Sequence, residues 1–149
     1  MTLDNLPMTP DDLIVRMYAS ICFERGGRPD WLGFTDLFAP GARLVRVTDE
    51  GVFEFDVNSY RTTFEKMISS GEMSSFWEGE LWRETFQFSD FAHILSAYET
   101  RTARDGPILN RGVNSIQLFR RNERWWISAM LWRREGQAVR IPDARPHDR

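Results

Sequence analysis

Arg111-Gly-Val-Asn-Ser-Ile-Gln-Leu-Phe-Arg120, followed by Trp125-Trp-Ile-Ser-Ala-Met-Leu-Trp-Arg-Arg134, reads as two long strands joined by a tight polar turn at Asn122-Glu123. β-Branched and aromatic residues fill both runs, and the residues between them suit a hairpin. Toward the N terminus, Ala92 to Arg104 and Phe76 to Phe88 have the same character, set apart by Ser89-Asp90 and Asp105-Gly106-Pro107. The four runs, Phe76 to Phe88, Ala92 to Arg104, Ile108 to Arg121 and Trp125 to Arg134, predict an antiparallel meander.

The first half of the chain has a different rhythm. Thr9-Pro10-Asp11-Asp12 offers a capping hydroxyl, a proline at the first helical position and acids in the first turn. A helix is expected from there to about Glu24, with Leu13, Ile14, Met17, Tyr18, Ile21 and Cys22 as its buried stripe. Asp30 caps a short second helix through Phe38, which Pro40-Gly41 ends. Ala42 to Thr48 and Val52 to Phe55 follow as strands around Asp49-Glu50-Gly51. A third helix starts near Asp56 or Asn58 and runs to Gly71.

The chain has 149 residues, 42% of them hydrophobic, which suits one domain with one core. That domain is expected over residues 1–135, and 136–149, with two prolines and mixed charge, reads as a flexible C-terminal tail. A formal charge of −3 argues against general affinity for nucleic acid or for anionic membrane. Cys22 is the single cysteine and fits a buried position. The N terminus has neither a charged nor an apolar leader segment, and no apolar run approaches spanning length, so the expected location is the cytoplasm. No His or Cys cluster has metal-ligand spacing, and neither a metal nor any other cofactor is expected.

Helix, helix, two strands, helix, four strands is the element order of the nuclear transport factor 2 superfamily, and this chain resembles that superfamily over roughly residues 9 to 135. It includes ketosteroid isomerases, polyketide-cyclase-like (SnoaL-like) proteins and scytalone dehydratase. Arg16-Met-Tyr-Ala-Ser, Phe34-Thr-Asp-Leu-Phe-Ala-Pro-Gly-Ala-Arg-Leu, Arg111-Gly-Val-Asn-Ser-Ile-Gln-Leu-Phe and Trp125-Trp-Ile-Ser carry the resemblance. It implies a cone-shaped α+β fold, also called cystatin-like, in which a curved mixed or antiparallel sheet and three N-terminal helices close a pocket. The convex sheet face of such a fold implies a homodimer.

Both faces of the strands are mixed, so alternation alone leaves the pocket side open. Similarity to the ketosteroid isomerases implies that Ser115, Gln117, Phe119, Trp126, Ser128, Met130 and Trp132 face inward, with Leu95, Ala97, Glu99 and Arg101. Trp125, Ile127, Ala129 and Leu131 then face outward. In those isomerases a carboxylate moves a proton and hydrogen-bond donors stabilise the enolate oxygen. Tyr18 matches their phenol donor, but their catalytic aspartate falls at or near Arg46 and their second acid near Gln117.

Glu99 is the substitute proton carrier if it lies in an apolar cavity, which would raise its pKa. Arg101, two residues on and about 6.6 Å away on the same face, competes by pairing with it. Tyr18 and Gln117 are then the donors, with Trp126, Met130, Trp132, Phe119, Ser128 and Arg101 around the ligand. His93, near a strand start and about 20 Å from Glu99, reads as a hydrogen-bonded or a solvent-edge histidine. Glu78, Glu80 and Glu84 read as one solvated strand face, with the pocket mouth as the alternative. The functional expectation is an isomerase, cyclase or dehydratase acting on an apolar carbonyl compound. The alternative is a non-catalytic module that binds a small apolar or aromatic molecule or dimerises.

Overall fold

A computed structural model describes residues 8–142. The first helix, α1 (Pro10–Ile21), begins with a reciprocal cap. Asp12 N donates to Thr9 Oγ1 at 3.2 Å, and Thr9 N donates to the Asp12 carboxylate at 2.8 Å. Helix α2 (Trp31–Thr35) is a single turn capped by Asp30. Helix α3 (Val57–Ser69) resolves the Asp56 or Asn58 choice in favour of Asp56, which accepts from Ser59 N at 2.7 Å.

The strands are β1 (Phe38–Thr48), β2 (Gly51–Phe55), β3 (Trp77–Phe88), β4 (Phe91–Arg101), β5 (Ile108–Arg121) and β6 (Arg124–Arg134). They form one curved, unclosed mixed sheet in the order β2-β1-β6-β5-β4-β3. β3 to β6 make the expected antiparallel meander, while β1 lies parallel to β6. β1 starts four residues earlier than the sequence suggests, because Gly41 takes φ +81° and absorbs a register shift between Phe38 and Arg43. The turn between β5 and β6 has two residues, Asn122 and Glu123, both with positive φ, which matches the right-handed twist of the paired strands.

One face of the sheet packs against the helices. Leu13, Ile14 and Ile21 of α1 and Phe34 of α2 meet Leu44, Ile94, Ile116, Leu118 and Ile127, all essentially solvent-free. Helix α3 has one buried residue, Phe64. It packs beside β1 and β2, with Val57, Tyr60 and Ile68 partly buried against the same core.

The facing of the strands differs from expectation. Asn114, Ile116 and Leu118 point to the core side, as do Ala92, Ile94, Ser96, Tyr98 and Thr100. Ser115, Gln117 and Phe119 on β5, and Leu95, Ala97, Glu99 and Arg101 on β4, therefore occupy the outer face. Hydropathy could not decide this, because the outer face also carries Val113, Leu95 and Ala97. On β6 the expectation is half right. Met130 and Trp132 face inward, but a bulge leaves Ser128 unpaired, so Trp125 and Ile127 are core while Trp126 is outside. Ala129 and Leu131 do face outward.

A second bulge, at Leu81, divides the acids of β3. Glu78 and Glu80 stand opposite Thr100 and Tyr98 on the inner side, whereas Glu84 stands opposite Leu95 on the outer side. Of the expected tail, residues 136–142 are described: Gly136 N donates to Val139 O at 2.9 Å and Trp82 Nε1 donates to Pro142 O at 3.1 Å. Residues 143–149 lie outside the described residues.

Candidate functional site

Between the inner sheet face and α3 lies a cavity of about 120 Å³. Its walls are apolar. Met17 and Ile21 come from α1, Phe64 and Met67 from α3, and Phe76, Met130 and Trp132 from the sheet side. Trp132 stacks on Phe55 at 6.5 Å and meets Tyr60 edge-on at 5.7 Å, while Phe64 meets Phe76 edge-on at 5.5 Å. Interlocked rings of this kind fix one another's positions and hold the cavity open.

Polar groups are few and converge. Glu78, Tyr98, Thr100 and Asn114 project from β3, β4 and β5, Tyr60 descends from α3, and Arg46 and Arg134 project from β1 and β6. The Glu78 carboxyl takes no hydrogen bond and no ion pair among the described residues. Burial pushes its pKa up from the usual 4.5 to about 7, and the positive charge of Arg134 opposes that rise. The Tyr60 and Tyr98 hydroxyls are both raised, first by burial and then by the nearby Glu78 charge, with Arg134 acting in the opposite direction. Arg46 also acts on Tyr60. The acid, the two phenols and the two guanidiniums thus share one electrostatic neighbourhood.

Behind Asn114 runs a chain of buried polar contacts. Asn114 Nδ2 donates to Tyr18 Oη at 3.0 Å, Tyr18 Oη and Ser96 Oγ are 2.6 Å apart, and Ser96 Oγ donates to Glu80 Oε2 at 2.5 Å. Arg83 grips both Glu80 oxygens at 3.0 and 2.7 Å and reaches Asp11 at 2.9 Å. Burial tends to raise the Asp11 pKa, but the bonds from Arg83 and Thr85 outweigh it and leave it lowered.

Of the residues expected at the site, Met130 and Trp132 line the cavity. Tyr18 is buried beside it with its hydroxyl held by Ser96 and Asn114. Glu99, Arg101, Gln117, Phe119 and Trp126 lie on the other face of the sheet, and Ser128 occupies the bulge, its hydroxyl donating to the Gln117 carbonyl at 3.2 Å. Arg101 Nη2 donates to Glu99 Oε1 at 2.7 Å, so the pairing alternative describes these two residues. His93 is hydrogen-bonded to Ser115 at 2.9 Å, also on the outer face.

Sequence reasoning grouped Glu78 with its neighbours instead of singling it out. The available signal was an acid within the aromatic run Phe76-Trp77 and Leu81-Trp82, but the bulge that separates it from Glu84 leaves no mark in the sequence. Among the described residues no group of three or more His, Cys, Asp or Glu is placed to hold a metal ion, and no helix is long and apolar enough to cross a membrane.

No protein-family model matches the sequence, nor does any curated protein. Solved structures do resemble it. A protein of unknown function with a cystatin-like fold from Nostoc punctiforme superposes with a TM-score of 0.66 at 14% identity, over 89% of this chain and 97% of that one. A nuclear transport factor 2-like protein of unknown function from Shewanella baltica gives 0.58 at 8% identity, over 85% and 91%. The β subunit of benzoate 1,2-dioxygenase from Burkholderia mallei gives 0.63 at 9% identity, over 87% and 93%. At such identities the likeness is one of fold, and unrelated activities share folds.

Proposed function

We propose that this nuclear transport factor 2-like chain is a small-molecule pocket protein that moves a proton on a compact carbonyl compound, with Glu78 as the proton carrier. The observation that carries the reading is the Glu78 carboxyl, unpaired within an aromatic cavity, with its pKa at about 7. A group so poised is ionised often enough to take a proton and holds it well enough to return it.

In this reading the Glu78 carboxylate removes a proton from the carbon next to the substrate carbonyl, and the electron pair moves onto the oxygen. The Tyr98 hydroxyl accepts from Arg134, which leaves its own proton free to stabilise that oxygen, and Tyr60 stands as a second donor. The protonated Glu78 then either trades its proton for one from solvent and delivers that one to the same carbon or, in a conjugated substrate, delivers its proton to another carbon. The first outcome is exchange with solvent and the second is isomerisation. No oxidant or cofactor enters the balance.

The test follows α-deuteration of cyclohexanone in D2O by NMR. The expected result is exchange that rises with pH and levels off above about pH 7, reduced by about 100-fold or more in Glu78→Gln. Equal rates for the two proteins would overturn the proposal. The charge of Arg134 near Glu78 favours a second reading, a binding module without turnover, which those equal rates would select. We also infer self-association through the outer face, where Leu131 is exposed beside Ala129, with sedimentation velocity as the readout.

A further inference from the structure

The cavity contains more positive charge than it can neutralise. Arg46 and Arg134 both line it, and neither forms an ion pair among the described residues. Arg46 Nε is sealed from solvent with no hydrogen-bond partner, and the guanidinium lies 5.0 Å over the Phe53 ring. Arg134 has only the Tyr98 hydroxyl against it. Two half-buried arginines outside the cavity are matched, Arg83 by Glu80 and Asp11 and Arg101 by Glu99, whereas Arg111 Nε, like Arg46 Nε, is buried without a partner.

Among the described residues no carboxylate pairs with either guanidinium. Glu80 is taken by Arg83 and Ser96. Glu78 is the cavity's own acid, and burial favours its neutral form up to about pH 7. A guanidinium N–H buried without a partner costs free energy until a ligand supplies an acceptor. The planar guanidinium fork is suited to a carboxylate.

We propose that the ligand is a single-ring carboxylate whose anionic group is clamped by Arg46 and Arg134 while its ring lies against Trp132 and Met130. The clamp rests on the proton-transfer reading of the same cavity and adds the class of compound on which that chemistry acts. Size sets the ring count: about 120 Å³ is close to the cavity of about 150 Å³ that accepts one benzene ring. Position sets the polarity. Arg134 is exposed at the cavity edge, so the charged end remains near water while the ring is buried.

Calorimetric titration of the full chain at about pH 6 with cyclohexanecarboxylate and with its uncharged isostere cyclohexanecarboxamide tests the clamp. The carboxylate is expected to bind about tenfold or more tightly than the amide. Arg46→Met and Arg134→Met should each remove most of that preference, and Arg46→Gln serves if the apolar replacement does not fold. Equal binding of acid and amide, no binding of either at about millimolar concentration, or a preference that survives both substitutions would overturn the clamp. Cyclohexanone exchange involves no carboxylate and the titration involves no turnover. Lost anion preference with Glu78-dependent exchange intact therefore sinks the clamp alone. Anion binding with exchange that ignores Glu78 sinks only the proton-transfer reading.

Discussion

Tyr18 Oη and Ser96 Oγ lie 2.6 Å apart in the buried layer between α1 and β4, and their donor and acceptor roles follow from the next group along. Ser96 has one hydroxyl proton and gives it to Glu80, which the Arg83 guanidinium holds as an acceptor. Ser96 must therefore accept from Tyr18, and Tyr18 in turn accepts from the Asn114 amide. The Tyr18 proton is thus committed within the protein and is not offered to the cavity.

Tyr18→Phe should accordingly act on stability rather than on chemistry. It leaves Asn114 without an acceptor and Ser96 without a donor while preserving the ring, which costs about 1–3 kcal/mol for buried polar groups deprived of a partner. Urea denaturation reads that loss. Cyclohexanone exchange should change by less than about tenfold, short of the 100-fold expected when an acid–base group is removed. A stable variant that has lost exchange would restore Tyr18 as a donor to substrate.

Glu99 offers the complementary case. It lies on the outer face with Arg101, which also reaches the Gly106 carbonyl at 2.6 Å. Glu99→Gln should leave cyclohexanone exchange and its pH profile unchanged. It should alter stability by about 1 kcal/mol or less, since partly solvated ion pairs contribute little. A shifted pH profile for exchange would mean that Glu99 communicates with the cavity through the sheet.

These two residues show where the sequence is informative and where it is silent. The element order and most boundaries were legible because they rest on local physics. The Thr9 to Asp12 cap, the glycine after α3 and the two-residue turns at Ser89-Asp90 and Asn122-Glu123 are each decided within four residues. The turns also determine which residues stand opposite one another, as with Phe88 and Phe91 or Arg121 and Arg124.

The facing of the strands was not legible, because it is a global property. A curved sheet that carries Val113 and Ala97 on one side and Asn114 and Ser96 on the other gives no hydropathic preference. The bulges at Leu81 and Ser128 then reverse the alternation within a strand, so no single parity describes β3 or β6. Met130 and Trp132 were identified as cavity residues, while Glu78 was hidden by its grouping with Glu84 across a bulge.

Glu78 also makes stability depend on pH, with a sign that separates it from the other shifted carboxyls. A carboxyl whose pKa rises from 4.5 to about 7 on folding is bound more tightly to its proton in the native state. Its contribution is fully present below about pH 4.5 and is lost as pH rises through about 7. Asp11 and Asp56, both lowered, act in the opposite sense and lose their contribution as pH falls through their own lower values, outside that window. At about 1.4 kcal/mol per pKa unit, ionising Glu78 in the folded protein costs up to about 3 kcal/mol. Glu78→Gln mimics the protonated acid and does not titrate. Urea denaturation should therefore find the two proteins similar in stability near pH 4.5. By pH 8 the variant should be the more stable by up to about 3 kcal/mol, a gain that accompanies the loss of exchange. Stability curves that remain parallel across this range would mean that the Glu78 carboxyl titrates normally, and would remove the physical basis for its role as the proton carrier.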